Sequence, residues 1–157
     1  MIGTAGGPGK VARAAALGCD HVIDYDREDV VARVKELTGG AGVTAVFDGV
    51  GKRTFDASLA CLAMRGMLVL FGQASGVVPP VEPSALARGS LFLTRPSFFH
   101  YIGSRDELVM SAGRLFEVVG SGAVKIEVGH TYALRDAPAA HRDLEGRRTT
   151  GSSVLIP

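Results

Sequence analysis

Short apolar runs alternate along most of this chain with segments whose apolar residues recur every three or four positions, the periods of buried strands and of helices packed on one face. Met1 to Thr4 is a short apolar start. The glycines after it lead into "GKVARAAAL", whose alanines and lack of β-branched runs predict a helix that stops at Gly18. "HVIDY" follows as a strand. "DREDVVARVKELTGG" predicts a helix with Asp26 as its cap, Val30, Val34 and Leu37 on one face and Gly39 at its end. "VTAVFDGVG" is a nearly continuous apolar strand ending at Asp48. "KRTFDASLACLAMRG" predicts a helix with Phe55, Leu59 and Leu62 turned inward, and "MLVLFG" the next strand.

"ASGVVPPVEPSALARG" is rich in Gly and Pro and reads as a loop with one short turn, before the strand "SLFLT" and a helix from about Arg105 to Val119. Strand and helix in alternation predict the α/β class, a parallel sheet wrapped by helices. From Lys125 the texture changes: "KIEVGHTYAL" and "GSSVLIP" are strand-like, with the helix-like "APAAHRDLEGRR" between them. This tail reads as an appendage to the preceding sheet.

Composition narrows the chemistry. A chain of 157 residues with 46% apolar and 21% charged residues has the makings of one ordinary globular core. Its 17 basic and 16 acidic residues nearly cancel, and no block of like charge calls for nucleic acid or an acidic membrane. Cys19 and Cys61 belong to no C-x-x-C pair and are expected as two buried thiols in a reducing cytoplasm. His21, His100, His130 and His141 are scattered without metal-ligand spacing, so no metal is expected. No leader and no spanning segment is expected either, which makes the expected location cytoplasmic.

The candidate chemistry lies in "MIGTAGGPGKVARAAALG", where Gly7, Gly9 and Ala12 spell G-x-G-x-x-A after a strand. Such a turn can receive a dinucleotide pyrophosphate at a helix N-terminus, but alone the pattern is also a common tight turn. Asp24 ends the next strand about where an acidic ribose ligand of a first Rossmann turn would lie. Against a first turn, few residues precede the glycines. A Walker A loop is excluded, because Thr4 stands five before Gly9 and Val11 follows Lys10.

Taken together, "IGTAGGPGKVARAAALGCDHVIDY", "TGGAGVTAVFDGVG", "RGMLVLFGQASG", "SLFLTRPS" and "GSSVLIP" resemble the C-terminal half of a zinc-free quinone oxidoreductase of the medium-chain dehydrogenase/reductase superfamily. The resemblance covers essentially the whole chain. It implies a Rossmann-type doubly wound parallel sheet lacking its first strand, with Met1 to Thr4 as the second. It also implies a partial NADPH-binding domain over 1–124 and a segment over 125–157 that would join a missing N-terminal barrel domain.

The same resemblance implies the cofactor contacts. Lys10 would meet the 2′-phosphate of NADPH and Tyr25 would lie nearby, a flexible ammonium beside a phosphate being sound chemistry for choosing NADPH over NADH. Val50 and Gly51 would follow one strand, and Phe71, Gly72, Gln73 and Ser75 the next. Leu93, Thr94 and Arg95 would follow the last and hold the nicotinamide carboxamide. Arg147 would be the second cation on the 2′-phosphate, a role its neighbour Arg148 could exchange with it. No catalytic side chain is implied in this half, since the cofactor carries the chemistry.

Three function classes follow. The first is an NADPH-dependent reductase of quinones or similar electrophiles, working as a homodimer. The second is a non-catalytic NADPH-binding or oligomerising module derived from such an enzyme. A self-sufficient short-chain reductase is excluded, because Tyr25, Tyr101 and Tyr132 are followed four residues on by Asp29, Arg105 and Asp136 in place of the lysine of Y-x-x-x-K.

Overall fold

The glycines and short apolar runs organise the first hundred residues into βα units. The computed structural model of the protein describes residues 1–146 and 148–157, which divide into two compact units, Met1–His100 and Tyr101–Pro157. Strand β1 (Ile2–Ala5) turns at Gly7 into helix α1 (Pro8–Ala16) and returns as β2 (His21–Asp24), parallel to β1 with Ile2 opposite His21. Pro8 opens α1, where its missing amide costs nothing, and Gly18, at φ 99°, ends the turn as expected.

Helix α2 (Val30–Leu37) corrects one expectation. Its cap is Asp29, whose side chain accepts from Ala32 N at 2.9 Å, and not Asp26. Such a cap is worth about 1 kcal/mol. Strand β3 (Val43–Asp48) leads to α3 (Phe55–Ala60), which is much shorter than the helix expected over this stretch. Leu62 belongs to β4 (Leu62–Leu70), where it lies opposite Val43. The strand is bent at Arg65, which adopts φ 59°. Leu62 is buried all the same, so the inward face was right and the element wrong. The Pro-rich loop holds one turn, α4 (Ser84–Ala87), before the short β5 (Phe92–Thr94).

The strands of this unit form two separate parallel sheets, β1–β2 and β3–β4–β5, in place of one continuous sheet. Phe55, Leu59, Leu62, Leu68, Leu70 and Leu91 form one buried cluster; Ile23, Val34 and Cys61 form another, against which Ile2, Val43 and Val46 also pack. Leu68 is wholly buried, and burying a leucine contributes about 1.5–3 kcal/mol. Between β1 and β3 lies a slot of about 630 Å³, lined by Ile2 and Thr4 on one side and by Val43, Ala45 and Phe47 on the other. Cys19 is only half-buried, against Gly3, which corrects the expectation of two buried thiols.

In the second unit α5 (Arg105–Gly120) starts at a capping box: Ser104 Oγ accepts from Glu107 N at 3.2 Å, and Glu107 Oε2 accepts from Ser104 N at 2.9 Å. Strand β6 (Val128–Ala133), helix α6 (Ala137–Glu145) and strand β7 (Ser152–Ile156) form a parallel βαβ unit, the two tail strands pairing with each other. Among the described residues no helix is long and apolar enough to cross a membrane.

Candidate functional site

In parallel α/β folds ligands gather beyond the carboxyl ends of the strands, and the residues expected to bind cofactor in the first unit lie there except Leu93 and Thr94, which were expected after the last strand and lie inside β5 instead. At the end of β1, Gly7 adopts φ 86° and no side chain caps α1. The first helical bond runs from Val11 N to Gly7 O at 3.1 Å, so the amides of Gly9 and Lys10 lie ahead of it at the positive end of the helix. Lys10 is partly buried in this first turn. Tyr25 lies against the same turn because Gly6 leaves room: a Cβ there would meet both the Tyr25 ring and Asp26 at 2.7 Å. The structure thus brings Lys10 and Tyr25 to one glycine turn.

Asp24 has another task than the ribose role considered for it. It is buried, and its Oδ1 accepts from Gly7 N and from Asp26 N, both at 3.1 Å, while its own amide donates to Glu28 Oε1 at 2.9 Å. The carboxylate therefore staples the glycine turn of α1 to the end of β2.

Beyond β3 and β4 two turns interlock. Asp48, 4% exposed, accepts at Oδ1 from Val50 N at 2.8 Å and Gly51 N at 3.0 Å. Thr54 Oγ1 donates to both carboxylate oxygens, at 2.9 and 2.8 Å, and Ser58 Oγ donates to Oδ2 at 2.8 Å. Burial pushes this carboxyl up, but the Gly51 amide, the two hydroxyls and the Val50 amide together outweigh burial and hold it below the usual carboxylate range. Ser75 laces the second turn to the first: Ser75 Oγ donates to Val50 O at 2.8 Å and accepts from Arg53 N at 3.0 Å. Ser75 N also donates to Val50 O, and Lys52 N to Gly76 O.

This lacing needs glycine. A Cβ on Gly72 would lie 2.5 Å from Gly49 O, and Gly51, at φ 84°, packs on Gln73 and Gly76. Val50, Gly51, Phe71, Gly72, Gln73 and Ser75 therefore share one paired turn. Leu93 and Thr94 lie beside it, opposite Leu68 and Val69 in the sheet, with Arg95 just beyond and exposed.

In the second unit Arg148 is committed within its own unit. Its Nε and Nη2 donate to Asp143 Oδ1 at 3.0 and 2.7 Å, and Tyr132 Oη donates to Asp143 Oδ2 at 3.0 Å. The Arg148 guanidinium and then the Tyr132 hydroxyl hold the Asp143 carboxyl below its ordinary range. Arg147 lies outside the described residues.

Asp48, Thr54 and Ser58 form a set that the sequence patterns above do not single out. The signal was present: an aspartate closing an apolar strand, with hydroxyl residues six and ten positions on, where the first turns of a following helix bring them back to it.

Comparison with known proteins defines the class. The zinc-binding dehydrogenase family profile matches residues 17–155, and the chain belongs to that family. It is 49% identical over 160 residues to a quinone oxidoreductase of Salmonella typhimurium, a match that takes in all of this chain and 49% of that protein. Among solved structures it resembles the Escherichia coli quinone oxidoreductase complexed with NADPH, with TM-score 0.94, 46% identity and coverage of 99% of this chain and 49% of that one. A mycobacterial protein complexed with NADPH gives TM-score 0.93 at 51% identity, again over 99% and 49% of the two chains. The chain thus spans about half the length of the relatives it matches. Despite the family's description, no three His, Cys, Asp or Glu side chains among the described residues stand together as a metal-ligand set.

Proposed function

We propose that this chain is the cofactor-holding part of an NADPH-dependent oxidoreductase that passes hydride to a quinone or a similar electrophile. The observation that supports it best is the sorting of the strand ends. One end of the cleft offers a helix N-terminus and Lys10, suited to a phosphate, while the other offers the glycine-packed double turn, suited to a flat neutral group.

NADPH supplies the hydride when bound; the protein's residues bind and orient. Lys10 holds the 2′-phosphate beside the amides of the first α1 turn, with Tyr25 against the adenosine end. Gly51, Gly72 and Gln73 let the backbone come close, Val50 and Phe71 present apolar surface, and Leu93, Thr94 and Arg95 border the nicotinamide end. Arg147 is the second 2′-phosphate cation in this reading, with cofactor contacts over 1–124 and a return to a further catalytic domain over 125–157.

The slot between β1 and β3 belongs to the same reading. Both facing edges are strand backbone, and one further parallel strand, at about 4.8 Å from each neighbour, would join the two sheets into one. The exposed edge beyond β5, with Phe92 half exposed, is assigned to pairing with a second copy across a two-fold axis. Sedimentation at micromolar concentration tests it, with a dimer expected and a monomer opposing the assignment.

The direct test joins this chain to the half of the Salmonella typhimurium quinone oxidoreductase that it does not match. The joined protein is expected to reduce quinones with NADPH, and the 157-residue chain by itself to bind NADPH weakly or not at all. Quinone turnover by the isolated chain, cleared of contaminating reductase, would sink the assignment of the slot.

A further inference from the structure

The turn after β3 stands apart from the turn after β1. Six consecutive amides, from Val50 to Phe55, are committed to protein acceptors: Val50 and Gly51 to Asp48, Lys52 to Gly76 O, Arg53 to Ser75 Oγ, and Thr54 and Phe55 to Gly51 O. A strand-to-helix turn of this kind ordinarily points such donors outward as an anion nest. Here a buried carboxylate occupies the first two from beneath, and Ser75 and two backbone carbonyls take the other four. Gly51 is itself buried, and the turn opens on apolar surface, the exposed Val50 side chain and the exposed Phe71 ring lying over Gly49, before the exposed Lys52 and Arg53 that follow.

We propose that Asp48 is a positioning residue for the reaction: by drawing the Val50 and Gly51 amides inward it leaves Val50 and Phe71 as an apolar platform, poor in backbone donors, that accepts the uncharged nicotinamide end of NADPH. The proposal rests on the NADPH reading above. Asp48 acts through the turn and touches no reacting atom. It thereby sets which way round the dinucleotide lies, with the anionic end at α1 and the neutral end at β3.

The test compares two ligands and two proteins. In the 157-residue chain, amide hydrogen exchange at Val50 and Gly51 is expected to quicken about tenfold or more in Asp48→Ala, the loss of one strong hydrogen bond. In the joined protein, Asp48→Ala is expected to weaken NADPH about tenfold and leave adenosine 2′,5′-bisphosphate, which has no nicotinamide, within about twofold. Asp48→Asn keeps an oxygen for the two amides and is expected to restore most of the NADPH affinity. Should Asp48→Ala fail to fold, Thr54→Val, which removes only the hydroxyl bonds, is expected to show the same ligand pattern more weakly. Equal losses for both ligands, or no change in NADPH affinity or in exchange, overturns the role of Asp48 alone. An unmutated joined protein that binds neither ligand overturns the NADPH reading and this proposal with it.

Discussion

Gly7 donates its amide to Asp24 Oδ1 at 3.1 Å, across the seventeen residues of a βα unit. That bond fixes the N-terminal turn of α1 to the end of β2 and leaves the positive end of the helix facing outward beside Lys10. A carboxylate busy in this way is poorly placed to take a ribose hydroxyl, and its use as a staple agrees with a phosphate as the group the turn meets.

Replacing Lys10 by Ala in the joined protein is therefore expected to weaken NADPH by about tenfold or more and leave NADH nearly unchanged, since hydrogen bonds to charged groups contribute about 1.5–3 kcal/mol. Fluorescence titration with the two cofactors measures the difference. Equal losses would remove Lys10 from the 2′-phosphate.

The two neighbouring arginines should separate. Arg148 is held by Asp143, so Arg148→Ala is expected to lower thermal stability slightly and keep the cofactor preference, whereas Arg147→Ala is expected to reduce it. Measuring the NADPH to NADH affinity ratio in both variants decides between them, and a preference lost only in Arg148→Ala would reverse the assignment.

Gly72→Ala places a methyl 2.5 Å from Gly49 O, and backbone cannot step aside as a side chain can. The paired turns must part, at a cost of about 1–3 kcal/mol. Urea unfolding should show it, and NADPH affinity in the joined protein should fall with it. A variant as stable as the parent would mean that the turns are looser than their lacing implies.

Acid should act through Asp48. Its folded value is lowered, so the stability it contributes is fully present above the unfolded value near 4 and is lost as pH falls through the folded value. Asp48→Asn is expected to lower the urea midpoint at pH 7 and to narrow the gap to the parent at pH 3. A constant gap across that range would mean the carboxylate's charge is not what the turn depends on.

Local pattern made the elements legible where one cause dominated. Gly18 could only end a helix, and the spacing in "VVARVKEL" could only face one way. The misread positions are those where two residues compete. Asp26 and Asp29 both precede α2, and the winner is the one whose side chain reaches the third helical amide, while Asp26 sits in a turn closed on Asp24. The spacing Phe55, Leu59, Leu62 continued the helical period past Cys61, but the pairing of Leu62 with Val43 drew the last of the three into a strand. The site residues came from resemblance. Their lacing did not, because Ser75 meets Val50 and Arg53 across more than twenty residues, a distance over which periodicity carries no information.

The slot between β1 and β3 also has a kinetic side. Each sheet closes on neighbours in sequence, Ile2 with His21 and Val46 with Leu68, so both form by short loop closures that need nothing from the slot. The edges left facing it can template any extended chain, and at high protein concentration that chain can come from another molecule. A strand tethered to the same polypeptide competes at an effective concentration of the order of millimolar and excludes such intruders. Attachment, more than affinity, would then keep this half of the fold from aggregating.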